Sequence, residues 1–506
     1  MTLPGAVGPP PAGSLARSRC FSPRLALVAP WPVLAHGVAR PPKGAEVEVH
    51  IERLDVRGRG VGEIDGYPVR ARGALPGQTV RVRISRRRRG TMDGHVLERV
   101  EQSPDAVPPR CDHVGVCGGC AFQDYAYPAQ LRGLRDQVAA AFAGVGLEIE
   151  VPAVVGCDPP FGYRNKMEFT FSNRRWIEVS EPEGAPRDFA LGLHITGRYD
   201  KVLDIRGCAL HFPGADALLA SARQVARELE LTPWDVHQHE GLLRHLVLRH
   251  GFATAETMVN LVTSEDATEA VDAWSHAMCE RHPAITTVVQ NVNTRPASIA
   301  VGERERLIHG PGTITEIIGG TQFVISANSF FQTNSRQAEV LFRTIAEAAA
   351  PAGDETVWDL YCGTGALSLV VAGRARSVTG FELVPSAVTD ARRNAELNGL
   401  DNVTFLEGDV LETLQSGGNV DGIGRPDLCL VDPPRAGLHP KVLDGLLELA
   451  PPRIVWVSCN IHAAAPQLAR LVAAGGYRIE RVQPADMFPH TPHVEVVVSL
   501  TRSDTR

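Results

Sequence analysis

Hydrophobic and polar residues alternate one by one in the first part of the chain. Within residues 46–102 the segments VEVHIERLDV, RGRGVGEIDGYPVRARG, QTVRVRISRRRRG and HVLERV follow a period of two and are interrupted by glycines. This pattern predicts a small antiparallel barrel of four or five strands, similar in architecture to an OB-fold. In the third segment it places Val80 and Val82 inside the barrel and leaves Arg81 and Arg83 in solvent.

The last third of the chain follows a different pattern. The strand-like runs TVWDLY, SVTGFE, NVTFLE, DLCLVD and IVWVSC alternate with helical segments, among them 386–398 and 462–473. This alternation predicts a parallel, doubly wound sheet and therefore an α/β, Rossmann-like domain. The final run, HVEVVVSL, is predicted as an edge strand of that sheet. Ligands of such sheets bind outside the carboxyl ends of the strands.

Four regions follow from these patterns. Pro104, Pro108 and Pro109 indicate a linker, and a helix is predicted at 127–142 near the start of a mixed α+β region. Residues 1–40 contain many prolines and no acidic residue, which is typical of a disordered extension or of a start codon placed too early. A transit or signal segment is the alternative. The predicted extension, barrel, central domain and Rossmann-like domain are 1–42, 43–102, 103–328 and 329–506.

Composition and charge narrow the class of protein. The 506 residues are 44% hydrophobic and 22% charged, which is typical of globular proteins and excludes wholesale disorder. The formal net charge is −7, yet residues 51–90 hold eleven arginines and four acidic residues. We interpret this segment as an RNA-binding surface, the alternative being a solvated strand edge that prevents aggregation. No apolar run approaches the roughly 18 residues of a membrane span, so we expect no membrane contact.

Three of the ten cysteines, Cys111, Cys117 and Cys120, fall within ten residues of one another. Ten cysteines are too few for a secreted disulfide scaffold in a chain of this length. Their clustering is typical of a metal site in a reducing compartment, and it predicts a cytoplasmic protein. The spacing leaves both zinc bound by four cysteines and an iron–sulfur cluster open.

A nucleotide-like ligand is predicted at the end of the first strand of the Rossmann-like domain. The run DLYCGTG carries Gly363 and Gly365, which permit a tight turn and a close approach of the backbone to a ligand. Ser368 replaces the third glycine of the dinucleotide-binding pattern, which argues against a pyrophosphate ligand. Glu382 ends the next strand and can bind both ribose hydroxyls, and Asp409 follows one strand later. The combination predicts S-adenosylmethionine, whereas the glycine turn alone is equally typical of a structural connection.

Residues suited to covalent chemistry follow two later strands. Asp432, in the run DPPR, can hydrogen-bond a planar base, and Cys459, in the run VSCN, places a thiol at the same edge. Carbon 5 of uracil becomes nucleophilic enough to attack a methyl sulfonium when a thiolate adds to carbon 6. Glu495 has the chemistry to remove the carbon-5 proton afterwards. Taken singly, Cys459 is more typical of buried packing and Glu495 of an exposed strand.

The sequence resembles the RNA uracil-5-methyltransferases. The segments DLYCGTG, LVDPPRAG, VSCN and MFPHTPHVE occur in that order, and residues 330–334 resemble the family's F-x-Q-x-N segment. The resemblance covers residues 43–506 and is closest to the branch that methylates 23S ribosomal RNA. It implies a class I methyltransferase domain that uses S-adenosylmethionine, a TRAM domain at 43–102 and a central domain with an iron–sulfur site.

The resemblance also implies roles for individual residues. Cys459 is the implied nucleophile, and Glu495 is the implied base. The implied contacts to the cofactor or target base are Gln332, Tyr361, Gly363, Gly365, Glu382, Asp409 and Asp432. The implied ligands of a 4Fe–4S cluster are Cys111, Cys117, Cys120 and Cys208. Such a cluster is expected to stabilise the fold, because methyl transfer has no redox step.

Together these inferences predict an enzyme that methylates carbon 5 of a uridine in structured RNA, with ribosomal RNA favoured over transfer RNA. A uridine flipped out of an RNA loop is the expected target. One alternative is a methyltransferase acting on a nucleobase nitrogen, which needs no thiol. Another is a non-catalytic RNA-binding protein. RNA is the predicted partner, and the sequence gives no sign of an obligate protein partner.

Overall fold

A computed structural model describes residues 40–415 and 423–503 of the chain. The predicted N-terminal extension lies outside the described residues except for positions 40–42. Across the two described ranges, no helix has the length and apolar character needed to cross a membrane. The described residues form three regions, each built around its own sheet.

The first region is a six-stranded barrel. Its strands are β1 (Glu46–His50), β2 (Arg53–Leu54), β3 (Gly60–Ile64), β4 (Tyr67–Arg72), β5 (Thr79–Arg88) and β6 (Thr91–Glu101). They pair in the order β1-β5-β6-β4-β3-β2, and because β1 and β2 are neighbours along the chain, the two ends of the sheet meet. Val80 and Val82 are fully buried and Arg81 and Arg83 are exposed, as the alternation predicted. The short β2 raises the strand number above the expected four or five.

The second region is an eight-stranded, mostly antiparallel sheet with two helices on one face. Its order is β14-β13-β12-β11-β7-β9-β10-β8. Phe169, Leu246 and Leu261 of the sheet pack there with Leu219 and Trp274 of the helices. Helix α1 (Tyr127–Ala143) precedes this region, whose elements are β7 (Lys166–Ser172), β8 (Arg175–Trp176), β9 (Ala190–His194), β10 (Val202–Leu203), α2 (Ala215–Glu228), β11 (Leu243–His250), β12 (Thr257–Thr263), α3 (Thr268–Arg281), β13 (Thr287–Val292) and β14 (Arg304–His309).

Two elements before residue 328 pack with the C-terminal region. Helix α1 contributes Val138 and Phe142 to a core that contains Trp358 and Trp456. The hairpin of β15 (Thr313–Ile318) and β16 (Thr321–Ser326) packs Phe323 against the next helix. The segments immediately before and after the central sheet in the chain therefore pack with the C-terminal region, which ties the two regions together.

The third region is a seven-stranded sheet flanked by helices. Its order is β19-β18-β17-β20-β21-β23-β22. The strands from β19 to β21 are parallel, and β23 runs antiparallel to both of its neighbours, β21 and β22. The elements are α4 (Ser335–Ala349), β17 (Thr356–Leu360), α5 (Ala366–Ala372), β18 (Ser377–Glu382), α6 (Pro385–Leu397), β19 (Val403–Glu407), α7 (Val410–Gln415), β20 (Leu428–Val431), α8 (Pro440–Leu449), β21 (Arg453–Ser458), α9 (Ile461–Gly475), β22 (Tyr477–Ala485) and β23 (Glu495–Arg502). The prediction of a doubly wound, Rossmann-like sheet is confirmed.

The prediction that HVEVVVSL forms an edge strand is wrong. That segment is β23, which lies between β21 and β22 and buries Val496, Val497 and Val498. A strand covered on both faces has a continuous apolar run of this kind. The true edge is β22, whose Pro484 cannot donate a ladder hydrogen bond and is tolerated at an edge.

The direction of the strands determines where the site lies. Strands β17, β18, β20 and β21 run parallel, so their carboxyl ends share one edge of the sheet. Strand β23 runs the other way, so its first residue, Glu495, reaches the same edge. The described fold therefore brings residues from five strands to one edge.

Candidate active site at the carboxyl edge of the C-terminal sheet

The turn after β17 holds two glycines and one strained tyrosine. Tyr361 has a left-handed backbone with φ of 67°, which is costly for a bulky residue and is often found at functional sites. Gly365 has φ of 83°, and a Cβ there would lie 2.7 Å from the ring of Phe405. Gly363 has φ of 55°, and no atom lies within 4 Å of the position of a Cβ. Space for a ligand is therefore open above Gly363.

Glu382 lies beside this turn at the end of β18. Its carboxylate accepts hydrogen bonds from the backbone N–H of Gly363 at 3.1 Å and of Val384 at 2.9 Å. Each oxygen keeps a second lone pair for ligand hydroxyls. Leu383 and Val384 follow with 64% and 50% of their surface exposed, so a planar apolar ring could pack there. Sequence reasoning missed this apolar pair, although it directly follows Glu382.

Asp359, near the end of β17, stabilises the glycine turn through Ser368. It was not among the predicted site residues. It is buried, its Oδ2 accepts a hydrogen bond from Ser368 at 2.6 Å, and its Oδ1 has no partner among the described residues. Burial raises the pKa of Asp359 to about 6. Ser368, which stands in place of a third glycine, therefore has a structural role.

Asp409 lies beside the turn, whereas Gln332 contacts the central region. Asp409 is exposed and caps α7 by accepting a hydrogen bond from the N–H of Leu411 at 2.8 Å. Burial, and then the charge of Asp409, raise the pKa of Tyr361 to about 12, so these two side chains lie close together. The backbone carbonyl of Gln332 accepts a hydrogen bond from Asn165 at 2.8 Å.

The thiol and two carboxyl groups meet at the neighbouring strand ends. Asp432 directly follows β20, and Cys459 directly follows β21. Ser458 of β21 pairs with Val496 of β23, so the next position in the register sets Cys459 beside Glu495. The structure thus brings the predicted nucleophile, the predicted base and Asp432 together.

Burial determines the protonation of these groups. It raises the pKa of Glu495, which is only 5% exposed, to about 8, and the charge of Asp432 adds to the effect. Burial raises the pKa of Asp432 to about 7, with a contribution from Asp359. The pKa of Cys459 rises to about 11 through burial and then through Glu495. Near pH 7 the resting site therefore holds a thiol beside a protonated Glu495.

One cation counteracts these shifts, and sequence reasoning gave it no role. The charge of Arg435 lowers the pKa of both Cys459 and Glu495, against the larger effect of burial. Its Nη2 lies 2.9 Å from Nδ1 of His493. Arg435 stands in the run DPPR and His493 in the run HTPHVE, so both signals were present in the segments already singled out.

Four cysteines line one cavity of about 280 Å³ next to the central sheet. They are Cys111, Cys117, Cys120 and Cys208. Burial raises the pKa of the last three to about 11, and neighbouring thiols add to the shift. The N–H of Gly119 lies 3.4 Å from the sulfur of Cys117, and the amide of Gln123 lies 3.3 Å from that of Cys120. As the described side chains stand, no group of three His, Cys, Asp or Glu residues is arranged to hold a metal ion.

The basic surface predicted on the barrel divides into paired and unpaired arginines. Arg81 forms an ion pair with Glu98, and Arg83 pairs with Glu46 at 2.7 Å. Three exposed arginines near the end of β5 form no ion pair with any residue that the structure describes. They are Arg86, Arg87 and Arg89. These three guanidinium groups are available for phosphate contacts.

The chain is similar to known RNA methyltransferases. Residues 318–503 match the family described as tRNA (uracil-5-)-methyltransferase, and residues 42–97 match the TRAM domain. An uncharacterized RNA methyltransferase of Porphyromonas gingivalis is 41% identical over 466 residues, covering 90% of this chain and 100% of that relative. One of Chlorobaculum tepidum is 39% identical over 448 residues, covering 87% of this chain and 92% of the relative.

A solved structure is similar over the same extent. It is the crystal structure of the tRNA (uracil-54, C5)-methyltransferase of Pyrococcus abyssi in complex with S-adenosyl-L-homocysteine. The match has a TM-score of 0.69 at 30% sequence identity and covers 90% of this chain and 100% of that chain. The similarity therefore extends over the barrel, the central region and the C-terminal sheet together.

Proposed function

The chain belongs to the RNA (uracil-5-)-methyltransferase family and is an S-adenosylmethionine-dependent RNA methyltransferase, and on this premise we propose a covalent mechanism for it. The methyl group is transferred to carbon 5 of a uridine while the sulfur of Cys459 is bonded to carbon 6. The observation that carries this proposal is the meeting of Cys459, Glu495 and Asp432 beside the glycine turn. A nitrogen methyltransferase would have no use for the thiol.

Cys459 acts in the first step of the reaction, and Glu495 acts in the last. The thiolate adds to carbon 6, and the electron pair of the 5,6 double bond moves onto the ring carbonyl. The electron pair then returns to carbon 5, which would take the methyl group of S-adenosylmethionine, with S-adenosylhomocysteine as the leaving group. Glu495 removes the proton from carbon 5, and the electron pair left behind restores the double bond and expels the thiolate. A base with a pKa of about 8 is suited to this role near neutral pH.

The residues around the glycine turn suit the cofactor. Glu382 is fixed by Gly363 and Val384 and would bind the ribose hydroxyls, and the open space at Gly363 would admit the nucleoside. Leu383 and Val384 would cover the adenine ring. Tyr361 and Gln332 complete the proposed contacts, and Gly365 is required by its packing against Phe405. Asp409 would contribute mainly by fixing α7, because its carboxylate already caps that helix.

The covalent step is tested by trapping the adduct. Without the carboxylate, proton removal stops, so Glu495→Gln should accumulate a bond between protein and RNA that survives denaturation. A gel under denaturing conditions, run after incubation with RNA and S-adenosylmethionine, measures the adduct. The control is the double variant Glu495→Gln/Cys459→Ala, which should form none. An adduct in the double variant, or none in Glu495→Gln with normal RNA binding, would contradict the mechanism.

Two further measurements would support the alternatives. Methylation that persists in Cys459→Ala would support a reaction at a nucleobase nitrogen. RNA binding without any binding of S-adenosylmethionine, measured by titration calorimetry on the unaltered chain, would support a non-catalytic RNA-binding protein.

The four-cysteine cavity is proposed to hold a 4Fe–4S cluster. The sulfur ligands of a cluster lie farther apart than those of one zinc ion, because the cluster's own atoms separate them, and the cavity is open enough for this arrangement. The N–H groups of Gly119 and Gln123 near two sulfurs favour charged thiolates. Iron and acid-labile sulfide per chain, measured on anaerobically purified protein, test the proposal. Zinc in their place would overturn it, and Cys208→Ala should lower the iron content.

The RNA target is proposed to be ribosomal RNA. The four cysteines resemble the ligand set of the ribosomal-RNA branch, and this is the observation in favour. The similar protein of Pyrococcus abyssi is named for uridine 54 of transfer RNA, which makes transfer RNA the competing target. Deletion of the gene followed by mapping of 5-methyluridine in both RNA classes decides the matter. Loss confined to transfer RNA would overturn the proposal.

A further inference from the structure

Arg435 connects the loop of the thiol with the loop of the buried carboxyl, through its backbone at one end and its guanidinium at the other. The side-chain amide of Asn460, the residue after Cys459, donates to the backbone carbonyl of Arg435 at 2.9 Å. At the other end, Nη2 of Arg435 lies 2.9 Å from Nδ1 and 3.1 Å from Nε2 of His493, two residues before Glu495. The cation is thus attached to both catalytic segments.

We propose that His493 is a positioning residue that holds the guanidinium of Arg435 between Cys459 and Glu495. The inference rests on the proposed function only in taking these two residues as nucleophile and base. Arg435 is exposed and forms no ion pair among the described residues, so a carboxylate does not fix its side chain. The imidazole of His493 is therefore the contact that keeps this flexible side chain in one place.

The chemistry of the pair fits this role. Nη2 of Arg435 is almost equidistant from the two ring nitrogens of His493, so the guanidinium lies against the face of the imidazole. A neutral imidazole tolerates this contact, whereas a protonated imidazole would repel the arginine. Burial, followed by the charges of Arg435 and Arg164, lowers the pKa of His493 to about 4, so the ring is neutral near pH 7. His493 can thus hold the guanidinium without cancelling the charge of Arg435.

A fixed Arg435 would act on the thiol of Cys459 and on the carboxyl of Glu495 at the same time. Arg435 is within hydrogen-bonding reach of the sulfur of Cys459 and interacts with the charge of Glu495. The other titratable group acting on both is Asp432, whose charge opposes the ionisation of each. One correctly placed cation therefore helps the thiol lose its proton and also helps the carboxyl become a base. Removal of the His493 imidazole should impair both together.

The test measures the reactivity of Cys459 without RNA or cofactor. Iodoacetamide is added to the full chain over a range of pH, and alkylation of the Cys459 peptide is followed by mass spectrometry. His493→Leu, which keeps the volume but removes the flat ring, should raise the midpoint of reactivity by about one pH unit and slow alkylation at pH 8 about tenfold. His493→Phe, which restores a ring face for the guanidinium, should return both values toward those of the unaltered chain.

Two further variants separate positioning from a general structural effect. Arg435→Gln should raise the midpoint as His493→Leu does, and the double variant should raise it no further, because both changes remove the same interaction. His276→Leu on α3, where the histidine is 77% exposed, is the matched control and should change nothing. A normal midpoint in His493→Leu, or additive shifts in the double variant, would overturn the proposal. The adduct experiment tests the covalent mechanism separately, so the two failures are distinguishable.

Discussion

Ionisable side chains are buried in the cleft at the sheet edge, whereas most of those of the N-terminal barrel are exposed to solvent. In the cleft, Glu495 and Asp432 are removed from water beside a thiol, and Arg435 is the cation that acts on the thiol and on Glu495. On the barrel, arginines are exposed to solvent, some in ion pairs and some without an ion-pair partner among the described residues. A charge is costly in the cleft and is screened on the barrel. Substitutions in the cleft should therefore change the chemistry, and those on the barrel should change affinity.

The largest difference is expected for the thiol. Cys459→Ala should lower the rate at saturating RNA by roughly 10⁴-fold or more, because removal of a nucleophile removes the covalent route. Its affinity for RNA should stay within a few-fold of the original value. Single-turnover methylation and a separate binding titration give the two numbers.

The matched control for Cys459→Ala is Cys279→Ala. Cys279 lies on α3, away from both the cleft and the cysteine cavity, so neither the rate nor the affinity should change. A rate within tenfold of the original in Cys459→Ala would remove the distinction between the two regions.

The next effect is a pH dependence that belongs to the cleft. Glu495 acts as a base only when ionised, and burial raises its pKa to about 8. The rate of adduct release should therefore fall about fiftyfold between pH 8 and pH 6, and by about tenfold for each further pH unit below that. Stopped-time assays on a preformed adduct measure this step alone. A rate that is constant from pH 6 to pH 9 would show that the base is already ionised.

A smaller effect concerns stability. The folded state keeps a proton on Glu495 that the unfolded state releases above about pH 4.5, so this group makes the fold less stable as pH rises from about 4.5 to about 8. Glu495→Gln has no such dependence. Its melting temperature should exceed that of the unaltered chain by a few degrees at pH 8, corresponding to roughly 1–3 kcal/mol, and by less at pH 5.

The barrel supplies the contrast for this stability measurement. Glu98→Gln breaks the exposed pair with Arg81, for which about 0–1 kcal/mol is expected. Its melting temperature should therefore change little, and the difference should not grow with pH above about 5. An increase in stability that is equal at pH 5 and pH 8 in Glu495→Gln would contradict the buried, protonated carboxyl.

The fold was predictable from the sequence where a regular period is enforced by burial. The alternation in β5 and the apolar runs of β17, β18, β20 and β21 are direct consequences of one or two buried faces. Strand β22 was not predicted, because its charged residues and Pro484 interrupt the alternation of polar and apolar residues. Without β22, β23 was predicted as the edge strand. The family resemblance is confirmed by the similarity of about 90% of the chain to RNA methyltransferases.

The sequence predicted those site residues that directly follow an apolar strand, and it missed others that lie in loops. Cys459 and Asp432 were identified because each directly follows an apolar strand, and a doubly wound sheet brings such ends together. The contact between Arg435 and His493 depends on two loops separated by 58 residues, and no local pattern encodes it. Leu383 and Val384 were missed because apolar residues after a strand are normally read as part of the packing.

The smallest effect is expected on the barrel. Arg86→Ala/Arg87→Ala removes two guanidinium groups that form no ion pair within the described part of the chain. The loss of each phosphate-binding cation should lower the slope of log affinity against log salt by about 0.7–0.9. We expect a total change of about 1.5 in the slope and a fall in affinity of several-fold at about 0.15 M salt, with the rate at saturating RNA unchanged. Binding titrations at several salt concentrations measure this change.

The control keeps the net charge equal. Arg81→Ala/Arg83→Ala also removes two positive charges from β5, but these side chains are already paired with Glu98 and Glu46. The slope should therefore change by less than in the Arg86/Arg87 variant, since paired guanidinium groups hold fewer phosphates. Equal slopes in the two variants would mean that the barrel acts on RNA through its net charge alone. In that case the contrast with the cleft would concern only burial, because no barrel residue would then make a specific contact.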